Sequence, residues 1–294
     1  MPKLDIHQEI TDQIISLLEK VDLKDYKPPF AGLVAQGLPV NPKTRKQYNG
    51  INILSLWFNQ QNAEFNSNKW ATYKQWQELD AQVRKGEKSS NVIFYKQRTE
   101  TELDDKGEEK EFFRPIMRLY RVFNASQVDN FDDLENTPNE SDLVTPCYIV
   151  EQFCKSTGAN IKRGQLRAYY DQIRDYIGMP DTIAFQDTGT ASATENYYST
   201  LLHELTHWTG SKKRLGRFEL QREKNQDYAF EELVAELGAA FLCASLGITQ
   251  SGREDHAMYI KGWLKALEDD KKHIFKAAAQ ANQAVEYLNS LQRQ

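Results

Sequence analysis

Apolar residues recur at helical spacing near the start of the chain, where Ile6, Ile10, Ile14, Leu17, Leu18 and Val21 fall three and four positions apart. A second helix is expected to begin near Asn52, just past Gly50, and to carry Leu56 and Phe58. Thr72 followed three residues later by Gln75 has the form of a capping box, opening a short helix with Tyr73 and Trp76. Val92 with Phe94, and Tyr120 with Val122, lie in alternating runs that predict strands. Between those runs, the acidic stretch 99–111 reads as the solvated tip of a long hairpin. Beyond Pro146 the pattern is mainly helical. Short strands are expected around 168–170 and 175–179, then helices over 195–208 and 228–246, the latter stopped by Gly247. Two more helices follow from Asp255 onward, and no internal repeat is evident.

A length of 294 residues suggests about two domains. The boundary falls at 129–145, which carries six acidic side chains, no basic one and no apolar periodicity, and so reads as a linker. The fold class is therefore α+β: a mixed N-terminal domain over 1–128, an acidic linker, and a mainly helical domain with a small sheet over 146–294. The net charge of −5 conceals a segregation, because residues 40–98 hold ten basic side chains against four acidic ones. Binding responds to such a local field more than to the total.

Nothing approaches the ~18 consecutive apolar residues of a membrane span. The acidic N-terminus, with Asp5, Glu9 and Asp12, lacks the layout of a secretory signal. Cys147, Cys154 and Cys243 are odd in number and form no CxxC pair, which suits a reducing bacterial cytoplasm.

The strongest chemical signal is His203-Glu204-Leu205-Thr206-His207. On a helix, side chains four apart lie one above the other, so both imidazoles can hold one divalent ion while Glu204 reaches an attacking water. Zinc is the expected metal, with another divalent transition ion as the substitute. A third donor is sought 25 residues on, where Glu232 and Glu236 interrupt the apolar run of Leu233, Val234, Leu237, Ala240 and Phe241. Carboxylates in such a face are costly unless paired or metal-bound. Glu232 is the expected ligand and Glu236 the acceptor for a ligating histidine's other ring nitrogen. The converse, with Glu236 the ligand and Glu231 and Glu232 facing solvent, fits the same spacing. Tyr197, Tyr198, His256 and Tyr259 are candidates to stabilise a developing oxyanion, with His256 and Tyr259 put forward as catalytic. His7 and His273 are expected at the surface of amphipathic helices.

Two blocks of the first domain interleave cations and rings: Lys43, Arg45, Lys46 and Tyr48, then Trp70, Tyr73, Trp76, Arg84, Lys85 and Lys88. Cations for phosphates and flat rings for bases are what a single-stranded DNA site needs, although each tryptophan taken singly also suits a core. No finger and no recognition helix for duplex reading stands out.

The HELTH and EELVAE pair resembles the two-helix signature of gluzincin metallopeptidases. More specifically, NPKTRKQYNGIN, WATYKQW, VRKGEK and RVFNASQ resemble the N-terminal domain that ArdC-type antirestriction proteins share with TraC-type plasmid primases. TGANIKRG, NYYSTLLHELTHWTG, EELVAELGAAFL and HAMYIKGWLKALEDDKKHIF resemble the C-terminal half of ArdC. This resemblance implies a plasmid- or mobile-element-borne protein that binds single-stranded DNA, carries a zincin-like site, and protects incoming DNA from host restriction during conjugation. Two other readings are a DNA-tethered protease acting on DNA-bound proteins, as SprT-like enzymes do, and a non-enzymatic DNA-binding protein with a structural metal. No nucleotidyl-transfer motif supports a primase.

Overall fold

The computed structural model describes residues 6–20, 30–34, 37–103, 109–131, 144–187, 191–220, 224–250 and 260–293. The chain opens with α1 (Ile6–Glu19) and the single turn α2 (Ala31–Val34). Ile10, Ile14 and Leu18 of α1 are buried, as their spacing predicts, but not against the residues that follow them. They belong with the C-terminal helices: contacts group Met1–Leu38, Asn49–Ile51 and Asn136–Gln294 into one unit, and Pro39–Tyr48 with Asn52–Glu135 into the other. Contacts therefore group α1 with elements beyond the acidic segment, because a helix's partner is set by packing rather than by sequence neighbourhood.

The smaller unit is built on a ribbon. After the short hairpin of β1 (Val40–Asn41) and β2 (Lys46–Gln47) come α3 (Ile51–Asn62), β3 (Trp70–Ala71), α4 (Tyr73–Gln77) and β4 (Gln82–Val83). The ribbon itself is β5 (Ser90–Leu103) with β6 (Glu109–Asn124), antiparallel from Ser90 opposite Val122 to Leu103 opposite Glu109. Its pairing thus runs into the acidic stretch expected to be all loop, and only 104–108 lie outside the described residues. β3 pairs with the other edge of β6, and β7 (Val128–Asp129) pairs with β4. The predicted capping box of α4 is present: Thr72 Oγ1 accepts from the Gln75 amide at 3.3 Å, and Gln75 Oε1 accepts from the Thr72 amide at 3.0 Å. Two apolar clusters fill this unit. Tyr48, Leu56, Trp70, Val92 and Val122 form one, and Ala71, Trp76, Ala81, Val83, Ala125 and Val128 the other.

The larger unit continues with α5 (Val144–Ser156), β8 (Ile161–Lys162), β9 (Tyr169–Asp171) and β10 (Tyr176–Gly178). β10 is central, parallel to β8 and antiparallel to β9. Four helices complete it: α6 (Ala193–Thr209), α7 (Lys224–Leu246), α8 (Ile260–Asp269) and α9 (His273–Ser290). α7 is the hub, packed against α6, α8 and α9. The α9 face carries Ala277, Ala278, Ala281 and Ala284, all fully buried, and small side chains let helices approach closely. α1 lies on α8, and Thr11 Oγ1 donates to the Lys271 carbonyl just beyond it at 2.8 Å. Cys154 and Cys243 are buried free thiols, the latter pushed up to about 12 by burial. No helix among the described residues is long and apolar enough to cross a membrane.

Candidate metal centre

α6 is held at both ends. Ser192 Oγ accepts from the Glu195 amide at 3.3 Å, and Glu195 Oε2 accepts from the Ser192 amide at 2.9 Å, a second capping box. The other Glu195 oxygen accepts from the Thr249 amide at 3.0 Å, fastening the start of α6 to the residues beyond α7. α7 then crosses α6 at Gly238. A Cβ at that position would lie 2.5 Å from Thr206 Cγ2 and 2.8 Å from Thr206 Oγ1, so only glycine lets the helices meet this closely beside the HELTH turn.

That approach brings three donors together. His203 Nε2 and His207 Nε2 are 3.1 Å apart, and the two carboxylate oxygens of Glu232 divide between them, Oε2 lying 3.4 Å from His203 Nε2 and Oε1 3.4 Å from His207 Nε2. Two bonds of about 2.0–2.1 Å meeting at the tetrahedral angle would hold their donor atoms about 3.3–3.4 Å apart. The observed separations are close to that spacing, and these three residues form the candidate metal site among the described residues, with one ligand atom from each within 4.8 Å of the others.

The surrounding charges fit the same reading. Glu204, Glu231, Glu232 and Glu236 are all buried, and the buried arginine at hand is Arg217. An excess of carboxylate in a low-dielectric interior needs cations, either protons or a metal ion. Without a metal the histidines supply them. Burial disfavours the His207 imidazolium, but Glu232 and Glu231 outweigh it and push its pKa up to about 10. His203 is raised likewise, against burial, by Glu232 and Glu236. Burial raises Glu232, yet the two histidines hold it well below the ordinary carboxylate range.

The other ring nitrogens face carboxylates. His203 Nδ1 is 3.5 Å from Glu236, whose other oxygen accepts from Gln250 Nε2 at 3.2 Å. His207 Nδ1 is 3.3 Å from Glu231 Oε1. Glu231 and Glu232 are both buried, so the arrangement with those two in solvent is not the one the chain adopts. Glu231, Arg217 and Gln250 were not singled out by the sequence. The doubled glutamate of EELVAE was the available signal for Glu231, whereas nothing local marks the arginine or the glutamine.

Of the remaining expected catalytic residues, His256 and Tyr259 lie outside the described residues. Tyr197 and Tyr198 are engaged elsewhere: Arg163 Nε donates to the Tyr197 hydroxyl at 3.2 Å, and the Tyr198 hydroxyl donates to Glu151 at 3.0 Å. Both line a separate cavity of about 320 Å³ at the start of α6. His7 and His273 are half-buried rather than at the surface, packed on Phe275 and Phe230 respectively.

In the smaller unit the expected nucleic-acid residues separate into two groups. Trp70 and Trp76 are fully buried and Tyr48 nearly so, which corrects their reading as stacking rings. Their polar atoms serve the core as well: the Tyr48 hydroxyl donates to the Trp70 carbonyl at 2.9 Å, and Trp76 Nε1 donates to the Phe123 carbonyl at 3.0 Å. Lys43, Arg45, Lys46, Tyr73, Arg84, Lys85 and Lys88 are exposed. Tyr73, Gln82, Arg84, Lys85 and Phe123 line an open groove of about 550 Å³. Within it Arg84 is tied down by Glu87 at 3.0 Å and Asp129 at 3.5 Å, while Lys85 makes no ion pair among the described residues.

Comparison with known proteins finds relatives for both parts of the chain. Residues 149–280 match the zincin-like metallopeptidase family, and residues 4–123 match the N-terminal domain of anti-restriction factor ArdC. The N-terminal match includes α1, although contacts place that helix with the C-terminal unit. An uncharacterized protein, y4eC, of Sinorhizobium fredii is 38% identical over 98% of this chain and 92% of its own length. A DNA primase TraC of Escherichia coli is 33% identical over 97% of this chain, which spans only 27% of the primase. Two crystal structures of the antirestriction protein ArdC from plasmid R388 are similar throughout. The metal-free form is 37% identical, with a TM-score of 0.77 over 98% of both chains; the Mn(II)-bound form is 36% identical, with 0.75 over 99% of both. With its whole length matched by a solved relative at this identity, the chain belongs to the ArdC family of antirestriction proteins.

Proposed function

We propose that this protein protects DNA from restriction, that its smaller unit binds single-stranded DNA, and that its larger unit is a metal-dependent peptidase. The observation that carries the enzymatic part is the buried cluster of His203, His207 and Glu232, with the two Nε2 atoms 3.1 Å apart and each 3.4 Å from a Glu232 carboxylate oxygen. Three protein donors rather than four is the number found in catalytic zinc sites. Zinc suits two imidazoles and a carboxylate, and the Mn(II)-bound relative supports other divalent ions as occupants.

A divalent ion held by His203, His207 and Glu232 would supply Lewis acidity for a scissile carbonyl and an attacking water. Glu204, on the helical turn between the two histidines, takes the proton from that water and delivers it to the departing amine. Glu236, steadied by Gln250, orients His203 from behind. The substrate fitting this chemistry is a peptide bond in a protein met on DNA in the host cytoplasm. On the smaller unit, the groove beside Tyr73 and Lys85 offers an exposed ring and a cation, the pair of features that base stacking and phosphate contact require.

Metal analysis of wild type beside Glu232→Ala and Glu236→Ala, together with Glu204→Gln assayed for proteolysis, tests the enzymatic part. One ion per wild-type chain, none in Glu232→Ala, and a Glu204→Gln protein that keeps its ion but loses all cleavage are expected. Full protection by Glu204→Gln in a restriction assay would refute the requirement for hydrolysis.

A further inference from the structure

Arg217 lies outside both helices that carry the candidate ligands, in the segment between α6 and α7, yet it is almost wholly buried. Its guanidinium grips Glu231 with two bonds, Nη2 to Oε1 at 2.7 Å and Nε to Oε2 at 3.1 Å. The remaining donors close on the end of α6: Nη2 reaches the Thr206 carbonyl at 2.7 Å, and Nη1 reaches Thr209 Oγ1 at 2.7 Å. Glu231 in turn sits 3.3 Å from His207 Nδ1. An ionised carboxylate can only accept, so that nitrogen must carry the hydrogen. In the neutral ring that a metal ion requires, this leaves the Nε2 lone pair directed to the side where His203 Nε2 and Glu232 converge.

We infer that Arg217 and Glu231 are a positioning pair that fixes the ring orientation and tautomer of His207 for metal binding. The inference rests on the metal reading above and adds residues that the reading itself does not use. Its logic is one of charge. Glu231 alone would add another carboxylate to a buried pocket already rich in them, and would cost stability. Paired with Arg217 it is neutral overall, so the pair directs His207 without adding net negative charge around the ion. The planar fork matters: an ammonium can balance the charge but cannot hold both carboxylate oxygens and the Thr206 carbonyl in one plane. Arg217 also ties the segment after α6 to the last turn of α6, one residue from the ligand His207.

The test is zinc affinity of the full chain, measured by competition with a chromophoric chelator, for wild type, Arg217→Lys, Arg217→Met, Glu231→Gln and the double variant Arg217→Met/Glu231→Gln. Loss of an outer partner of a ligating histidine typically lowers affinity by about 10–100-fold. Each single variant is expected to fall in that range, with Arg217→Lys the mildest. The double variant should lose much less than the product of the two single losses, because both remove one device. Thermal melting of the metal-free chains provides the control for folding, and Arg217→Lys keeps the test informative where the Met variant does not fold. Wild-type zinc affinity in folded Arg217→Lys and Glu231→Gln overturns the inference. So does a loss confined to Glu231→Gln, since the arginine would then play no part. A wild-type chain that binds no zinc overturns the metal reading itself, and this inference with it; only that outcome touches both.

Discussion

Gly238→Ala turns the closeness of two helices into a measurable quantity. In a helix interior the substitution should stabilise by about 1 kcal/mol, because glycine is the poorer helix former. Here the new methyl carbon would stand 2.5 Å from Thr206 Cγ2, where carbon–carbon contacts settle at about 3.5–4.0 Å. Relief requires α7 to move away from α6 by about 1 Å, and overpacking of this kind costs about 1–3 kcal/mol. The net effect is a loss of about 1 kcal/mol, or about 2–4 °C in melting temperature for a unit of this size. The consequence for the site is larger than that for the fold. Glu232 rides on α7 and both histidines on α6, so the same movement stretches the two 3.4 Å separations between its carboxylate and the histidines to about 4 Å or more while leaving the 3.1 Å histidine pair alone. Zinc affinity should then drop by about ten- to a hundredfold, with secondary structure unchanged. Chelator competition and melting with and without zinc read the two effects separately. Adding Thr206→Ala, which removes both crowding atoms, should restore part of the affinity. If Gly238→Ala melted higher than wild type and bound zinc equally well, the claim that helix spacing sets the site would be wrong.

Proton release gives a second check: in the metal-free chain the His207 charge supports the fold fully below its ordinary pKa of about 6.5, and that support fades as pH rises through about 10. Zinc uptake at pH 7 must therefore expel a proton, and calorimetric titrations in buffers of different ionisation enthalpy should show it; identical heats in every buffer would count against the charged histidine. Trp76→Ala should cost about 3–5 kcal/mol of stability in denaturant melts, whereas Tyr73→Ala should leave the melt unchanged and weaken single-stranded DNA binding by about 1–3 kcal/mol. The reverse pattern would restore the tryptophans as stacking rings. Lys85→Ala should reduce the slope of log affinity against log salt by about 0.7, and an unchanged slope would remove that lysine from the phosphate path.

What the sequence made legible was whatever lies within one or two turns. The four-residue step from His203 to His207, the box at Thr72 and Gln75, and the helix stop at Gly247, whose φ of +70° suits glycine, all follow from local geometry. The two carboxylates on α7 were visible because charge interrupts an apolar face. Contacts between distant segments were not visible in this way. Nothing in the surrounding residues shows that Arg217 folds back onto Glu231, or that α1 packs on α8 across the whole smaller unit in sequence. The tryptophans illustrate the ambiguity most plainly, since a ring among lysines has the same pattern whether it faces solvent or the core. Trp70 and Trp76 face the core while Tyr73, on the turn between them, remains 43% exposed.

The return of α1 to the helices beyond the acidic segment bears on how the molecule can be dissected. Cutting at that segment would leave the ribbon portion trailing a helix whose Ile10, Ile14 and Leu18 had lost their cover, and would deprive the helical portion of the partner for α8. Topologically the ribbon portion is a guest inserted into a host whose first helix precedes it. Excising the guest between residues 38 and 136 and closing the gap with a flexible peptide keeps every host helix and takes from the host only Asn49–Ile51.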